Sequence, residues 1–409
     1  MTGHKPVATA GLTAVLGRNL SGTNLQRAGD HNQRVTLHAI RVSGPVTRTD
    51  LVQMTGLTPG AIAKITTRLL RQRLIVKSGT VRGGRGQPAV KLSIHPGSCY
   101  SLGLHIDRDH ITLVLVDFAG KVRARSSREV AFALPETVQT SVRRMAGRLL
   151  ERARIGVGRV AGLGVAFPDD IQRASLPQQP PQYAAWGAVS VERLLARVLP
   201  VPVFLENDAA AAAIGEMHFG LGQRYQSFFY ILITAGLGGG LVVDGHYVRG
   251  ATGRSGELGL LPTHAGNEAP RTLQSVVSIS ALAARLAAQG THISSPRRLR
   301  RLAEQDLPTV ERWIADSVDA LEATLVTVDC LLNPEAILIG GRLPAPLIER
   351  LAARLNERLR AYAPVIPSVA PIERAALAED APAVGAAILP FTSRFLPTRL
   401  ALMKNPDER

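Results

Sequence analysis

Cysteine is almost absent from this 409-residue chain, which contains only Cys99 and Cys330. Two cysteines so far apart cannot build a disulfide framework or a cysteine-rich zinc site, so the composition favours a reducing compartment such as the cytoplasm. The chain also lacks a long uninterrupted apolar run and a secretory signal pattern at its start. Its most apolar stretch, 228–243, contains four glycines, which is typical of two strands and a tight turn rather than a membrane span.

Acidic residues are scarce in the first hundred positions, which contain Asp30 and Asp50 but no glutamate. Four lysines and ten arginines give this segment +12 of the chain's net charge of +16. A basic segment ahead of a nearly neutral body implies a polyanionic partner for the first and a separate role for the second. Residues 1–30, rich in glycine, threonine and alanine without a sustained period, are interpreted as a mobile arm.

Three short helices are predicted to follow the arm. A helical apolar period starts at His31 and stops at a Gly-Pro pair. Thr47 stands three residues before Asp50, a capping-box spacing that opens the second helix. Gly56 provides a turn, and Thr58 followed by proline opens the third helix. Two short helices joined at a glycine are typical of a helix-turn-helix, although the helices alone leave an ordinary three-helix bundle open.

Residues 74–94 predict a β-hairpin after the third helix. Strand-like runs at 74–76 and 89–94 flank the basic, glycine-rich segment 81–88. Arginines at such a tip suit a narrow minor groove. The hairpin distinguishes a winged helix-turn-helix from a plain helical bundle, so a DNA-binding domain is predicted over residues 31–98.

The residues expected to contact DNA lie in the second and third helices and on the wing. Lysine and arginine would neutralise phosphates, whereas the small residues of the third helix offer only apolar contact to thymine methyl groups. The wing is therefore expected to carry much of the sequence preference. The predicted DNA contacts are Arg48, Thr58, Gly60, Ala61, Lys64, Thr67, Arg68, Arg82, Arg85 and Gln87.

The body, residues 99–409, alternates strand-like runs with helices, which is typical of an α/β fold. A hairpin-rich start near residue 101 is repeated in outline from Phe228. The repetition predicts two similar lobes with a cleft between them, and such clefts bind small polar ligands.

Three segments of the body could carry chemistry. Asp208 opens an alanine-rich helix, where a carboxylate either caps the helix or accepts a proton from, or holds, a sugar hydroxyl. The glycine turn 234–240 either cradles phosphate through backbone N–H groups or is simply a crowded hairpin. Glu257 lies on a glycine-rich loop, where it is either solvated or a ligand contact.

Four motifs together resemble the ROK family of repressors, open reading frames and sugar kinases, in the branch that carries a DNA-binding head. They are ENDAAAAAIGE (206–216), TAGLGGG (234–240), GATGRSGELG (250–259) and PEAILIGG (334–341). The resemblance covers the chain from about residue 23. It implies a winged helix-turn-helix followed by a two-lobed, actin-like or ribonuclease H-like sugar-kinase fold. It also implies that Asp208 matches the kinases' catalytic base and that Asn207 and Glu257 match sugar-contacting positions.

The phosphate-binding turns depart from the kinase pattern. The kinases use Asp-x-Gly-Gly-Thr at the first hairpin, whereas residues 105–109 here read His-Ile-Asp-Arg-Asp. Two carboxylates now stand where phosphates would approach backbone N–H groups, a repulsion that only bound metal could offset. The second turn has Thr234-Ala235 in place of Gly-Thr. No ATP-dependent phosphorylation is therefore expected, and no catalytic residue or cofactor is assigned.

The family's zinc-binding pattern is also missing. Leu260 replaces the zinc-binding histidine, 263–273 contains no cysteine, and His264 is a lone imidazole, so no metal is predicted. Gln274 replaces a sugar-contacting glutamate and Ala210 replaces an asparagine, so the identity of the sugar stays open. The predicted ligand-binding residues are Asn207, Asp208, Glu257 and Gln274.

These observations predict a transcriptional regulator, in the first place a repressor, of carbohydrate-metabolism genes. It is expected to act in the cytoplasm as a homodimer or homotetramer on a palindromic double-stranded DNA operator and to respond to a sugar or sugar derivative. No membrane partner is expected. Two alternatives stay open: an ATP-dependent sugar kinase with an accessory head, and a constitutive DNA-binding protein with a relic cleft.

Overall fold

The computed structural model describes residues 25–81, 88–169, 180–263, 271–293, 296–302 and 306–397. By its internal contacts the chain divides into two compact units, one of residues 1–98 with 391–409 and one of residues 99–390. None of the helices in the described part of the chain is long and apolar enough to cross a membrane.

The first unit contains a winged helix-turn-helix, as the sequence predicts. Its elements are α1 (Leu25–Ser43), α2 (Arg48–Thr55), α3 (Pro59–Arg71), β1 (Ile75–Val81) and β2 (Ala89–Ile94). The two strands pair antiparallel, and Val46 adds a single bridge to Leu92 of β2. Helix α1 begins at Leu25 rather than at His31, because 25–30 are mostly good helix formers even without an apolar period. The interior is aliphatic, with Leu37, Ile40, Leu51, Ile62 and Leu69 all buried.

The second unit opens with a five-stranded sheet and its flanking helices. Their bounds are β3 (Tyr100–Asp107), β4 (His110–Asp117), β5 (Val122–Glu129), α4 (Pro135–Ala153), β6 (Val160–Phe167), α5 (Val191–Ala196) and β7 (Val203–Asn207). The strand order is β5-β4-β3-β6-β7. The first three strands form antiparallel hairpins, and β6 and β7 add parallel strands beside β3.

A second sheet follows a helix that carries the alanine-rich motif. The bounds are α6 (Asp208–Phe219), β8 (Phe228–Ile233), β9 (Leu237–Val243), β10 (His246–Tyr247), β11 (Pro262–Thr263), β12 (Arg271–Thr272), α7 (Ile279–Ala287), α8 (Leu307–Leu332), β13 (Ala336–Gly341), α9 (Ala345–Leu359), β14 (Ile372–Arg374) and α10 (Ala381–Phe395). The strand order is β10-β9-β8-β13-β14, and β11 pairs with β12 separately.

The two large sheets have the same topology. Each begins with two antiparallel hairpins and is completed by two parallel strands on the other side of the first strand. The predicted two-lobed α/β fold is therefore confirmed. Parallel strands need covered faces, and the apolar strands β3, β4, β8 and β13 are buried almost throughout.

Helix α10 lies in backbone contact with the first sheet. A Cβ atom on Gly103 would lie 1.9 Å from the Ala383 carbonyl oxygen, and one on Gly164 would lie 1.7 Å from that of Ala386. Helix α6 approaches α10 equally closely, since a Cβ on Gly385 would lie 1.7 Å from the Ala211 carbonyl oxygen. Only glycine is small enough at these crossings, and this packing holds α6 firmly against the sheet.

Candidate functional sites

The helix-turn-helix is set by local hydrogen bonds that the sequence indicates. Thr47 N–H donates to Asp50 Oδ2 at 2.8 Å and Asp50 N–H donates to Thr47 Oγ1 at 3.2 Å, which forms a reciprocal capping box for α2. Gly56 ends α2 in the left-handed conformation, with φ of 67°. Thr58 then caps α3 by accepting from Ala61 N–H at 3.3 Å. These contacts fix the angle at which α3 leaves the turn.

The outer face of α3 is small and basic. Gly60, Ala63, Lys64, Thr67 and Arg68 are exposed, whereas Ala61 is partly buried. The Thr67 hydroxyl donates to the Ala63 carbonyl at 2.8 Å, which leaves only its acceptor capacity for a partner. Among the predicted contacts, this face offers two cations, Lys64 and Arg68, and few other polar groups to a nucleic acid.

Arg48 joins the two helices of the motif. Its Nε donates to Thr66 Oγ1 at 2.8 Å, and Thr66 in turn donates to the Ile62 carbonyl at 2.8 Å. Thr66 is buried, although the sequence analysis does not assign it to the interior. Arg48 thus has a structural role that a pure DNA contact would not have.

The wing is described only in its strands, because Arg82, Arg85 and Gln87 lie outside the described residues.

The outer face of α3 carries one further cation that is absent from the predicted DNA contacts. Arg71 is exposed and lies one turn after Arg68, which itself follows Lys64 by one turn. The spacing of 64, 68 and 71 is the signal for this continuous basic stripe.

Asn207, rather than Asp208, caps α6. The Asn207 Oδ1 accepts from the N–H groups of Ala209 at 2.9 Å and Ala210 at 3.0 Å. Asp208 Oδ1 also accepts from Ala209 N–H, at 2.8 Å. The capping role that the sequence leaves open for Asp208 therefore belongs mainly to its neighbour.

Burial dominates the electrostatics of Asp208. It raises the pKa of this carboxyl to about 7, and the negative charge of Asp107, then that of Asp169, adds to the effect, although the Ala209 N–H acts against it. A carboxyl with such a pKa exchanges its proton near neutral pH. It can therefore accept a proton from a hydroxyl group or donate a hydrogen bond to one.

A chain of polar contacts extends from Asn207 to Glu257. Asn207 Nδ2 donates to Asp169 Oδ2 at 3.2 Å, and Arg254 Nε lies 3.9 Å from the same oxygen. Arg254 Nε also donates to Glu257 Oε1 at 2.7 Å. The structure thus links two predicted ligand residues through Asp169 and Arg254, neither of which the sequence analysis assigns.

Gln274 lies against the glycine turn that joins β8 and β9. Its Oε1 would be 3.6 Å from a Cβ on Gly236, and its own Cβ would be 3.3 Å from one on Gly259. Leu260, at the position of the family's histidine, is 53 % exposed. His264 lies outside the described residues.

The turn between β3 and β4 is filled by side chains of the protein itself. Arg342, which directly follows β13 of the second lobe, donates from Nη1 to Asp109 Oδ1 at 2.6 Å. Burial alone would raise the pKa of Asp109, but the hydrogen bond from His110 and the charges of His110, Arg342 and Arg108 lower it well below its usual range. The carboxylate of Asp109 therefore stays ionised at neutral pH.

Comparison with known proteins places these features in a family context. The ROK family model matches residues 101–392. The xylose repressor of Bacillus spizizenii is 27% identical over 228 residues, which are 56% of this chain and 59% of that repressor. A crystal structure of a ROK family transcriptional regulator, a homolog of the E. coli MLC protein, has a TM-score of 0.70 at 24% identity and covers 92% of this chain and 99% of that chain. The crystal structure of the ROK hexokinase of Thermus thermophilus has a TM-score of 0.51 at 25% identity, and the match covers 71% of this chain and 97% of the hexokinase.

Proposed function

The chain belongs to the ROK family, and from this premise we propose that it is a transcriptional regulator that represses carbohydrate-metabolism genes and responds to a sugar or sugar derivative. The observation that carries the proposal is the exposed basic stripe on α3 of a winged helix-turn-helix, formed by Lys64, Arg68 and Arg71. The xylose repressor among the relatives supports the link to sugars. The cytoplasm is the proposed place of action.

On DNA, the basic stripe of α3 and the predicted wing contacts have two roles, binding phosphates and discriminating sequence. Lysine and arginine neutralise phosphates and set affinity, while Lys64 and the wing around Arg85 discriminate sequence. A homodimer or homotetramer would place two heads on a palindromic operator whose half-sites lie about one helical turn, or a multiple of it, apart.

The effector is proposed to bind beside Asn207, Asp208, Glu257 and Gln274. It changes operator affinity only if it binds the DNA-competent and DNA-incompetent states with different affinities. Asp208 is suited to a hydroxylated ligand because it holds or releases its proton near neutral pH.

The test begins with genome-wide mapping of DNA bound by the full chain, since neighbouring genes name candidate effectors. The affinity for a mapped site is then measured with a panel of sugars and sugar phosphates. We expect one ligand to weaken operator binding, and we expect Glu257→Gln to lose this response while keeping the operator affinity. If no ligand changes the affinity, the protein is a constitutive DNA binder and the sensing proposal is wrong.

A sugar kinase is the second candidate, favoured by the buried Asp208 and by the likeness to the ROK hexokinase. The contacts of Asp109 with Arg342 oppose it, because they occupy the turn that cradles phosphate in the kinases. Incubation with ATP and a panel of hexoses distinguishes the two. Turnover that disappears in Asp208→Asn would contradict a regulator without enzymatic activity.

A further inference from the structure

The first lobe contains one cluster of metal-ligating side chains among the residues that the structure describes. His105 and Asp107 are alternate residues of β3, so they project from the same face of the sheet, and His110 pairs with Asp107 across the two-residue turn to β4. All three are buried, and one ligand atom from each lies within 4.8 Å of the other two. Histidine and carboxylate together are ligands that divalent transition metals prefer.

Oδ2 of Asp107 has no hydrogen-bond partner within the described part of the chain, and its side chain is almost fully buried. Nε2 of His105 has none either, but it is not the nitrogen that contacts His110. A buried polar atom without a partner destabilises the fold unless a bound group supplies one. Asp107 also lies close enough to Asp208 for its negative charge to act on that buried carboxyl.

The two imidazoles are joined by a direct hydrogen bond, which an ion bound by both nitrogens would replace. His105 Nδ1 lies 3.1 Å from His110 Nε2, and the two rings meet edge to face at 81°. Two nitrogens bound tetrahedrally to one zinc ion, at about 2.0–2.1 Å each, are separated by about 3.3 Å. The distance between the two nitrogens is therefore close to that of a zinc site, and the rings would turn to direct both lone pairs at the ion.

The remaining nitrogen of His110 has the partner that a metal-bound histidine requires. His110 Nδ1 lies 2.9 Å from Asp109 Oδ1, and that carboxylate also accepts from Arg342. A ligating histidine almost always donates its second N–H to such a group, which fixes the ring and the tautomer. Arg342 Nη1 lies 2.9 Å from the same Nδ1. If the Nδ1 proton is directed to Asp109, Nε2, which contacts His105 Nδ1 in this structure, carries the lone pair that a metal would take.

We propose that His105, Asp107 and His110 bind a divalent transition metal ion of the Zn²⁺ or Co²⁺ class, with Asp109 and Arg342 as positioning residues. The site is distinct from the zinc-binding pattern that this sequence lacks. Three protein ligands leave a coordination position for water or for a hydroxyl group of a small molecule. The proposal replaces the sequence-based expectation of no metal, and it is independent of whether the protein binds DNA.

Titration of the metal-free full chain with Co²⁺ tests the site, because bound Co²⁺ reports its geometry in the visible spectrum. We expect one ion per chain with tetrahedral or five-coordinate bands, displaced by Zn²⁺. The isosteric variant Asp107→Asn should lose more than 100-fold in affinity, and Asp109→Asn should lose about 10–100-fold. His246→Asn, which changes an exposed histidine of β10, is the matched control and should bind as the unmodified chain does.

Circular dichroism tests whether each variant is folded. If Asp107→Asn does not fold, His110→Gln serves as the second ligand variant. Thiolate charge-transfer bands would instead assign the ion to Cys99 or Cys330 and would overturn the proposal. Absence of stoichiometric Co²⁺ binding, or equal affinity in Asp107→Asn and the unmodified chain, would overturn it as well. The cluster would then be a hydrogen-bonded histidine pair.

Discussion

At the scale of single residues, Asp208 shows what a sequence motif can and cannot convey. The motif indicates that the residue opens a helix at the end of a strand, and the structure agrees. Its proximity to Asp107, about a hundred positions earlier, depends on how two parallel strands align within the sheet. No local pattern encodes that alignment, so the sequence could not predict the raised pKa.

Asp208→Asn is expected to change stability in a pH-dependent way. The folded pKa of about 7 lies above the ordinary value near 3.8, so the folded state keeps a proton that the unfolded state has lost. The stability of the unmodified chain therefore falls between pH 4 and 7 relative to the variant. The variant should be equally stable at pH 4 and more stable above pH 7, by up to about 4 kcal/mol.

Thermal unfolding of both proteins at several pH values, with a chelator present, measures this difference. The measurement at pH 4 is the internal control, because the two proteins should be equally stable there. A difference that stays constant from pH 4 to 8 would show that the Asp208 carboxyl is not desolvated in the folded protein.

The helices and strands differ in how clearly the local sequence predicts them. Helix α2 was predictable because its capping box and terminal glycine are local signals, and β8 and β9 because a glycine turn separates two apolar runs. Helix α10 escaped prediction, since its alanine, glycine and internal Pro390 give no single apolar face. Its position follows from contacts with three other elements, and these exist only in the folded chain.

Thr47→Ala is expected to weaken α2 by about 1 kcal/mol, because Asp50 N–H loses the acceptor that caps the helix. The measurement is hydrogen exchange of the full chain over residues 48–55, which should accelerate about fivefold. Thr47→Ser keeps the hydroxyl and should exchange like the unmodified chain. Unchanged exchange in the alanine variant would mean that the cap is unimportant for the motif.

Gly164→Ala is expected to destabilise the second unit by about 1–3 kcal/mol or more, because the new methyl group would overlap the Ala386 carbonyl of α10. Gly158→Ala is the control, since a Cβ there has no atom within 4 Å. Thermal unfolding of the full chain should show a lower midpoint only for the first variant. Equal midpoints would mean that α10 can shift without cost.

At the scale of the whole molecule, the two-lobed body was predictable from a repeated order of hairpins and strands. Family membership adds the kinase-like fold, whereas the residues of the first turn depart from the kinase pattern. The role of Arg342 was not predictable, because it crosses from one lobe to the turn of the other over 233 positions of sequence.

The dependence of DNA binding on salt tests the basic stripe as a unit. Replacing Lys64, Arg68 and Arg71 by alanine together should reduce the slope of log affinity against log salt by about 3, if each side chain neutralises one phosphate. The control removes three exposed arginines of α4, Arg143, Arg144 and Arg148, and should leave the slope unchanged. Equal slopes for both triple variants would show that α3 does not face the DNA backbone.

The alanine run of α6 has a further consequence for any ligand that reaches Asp208. Residues 209–213 are all buried alanines, and alanine has no rotamer freedom to lose when it packs. The helix is therefore docked with very little loss of side-chain entropy, and its first turn is already ordered before a ligand arrives. A ligand bound there would therefore contribute little free energy to ordering the site.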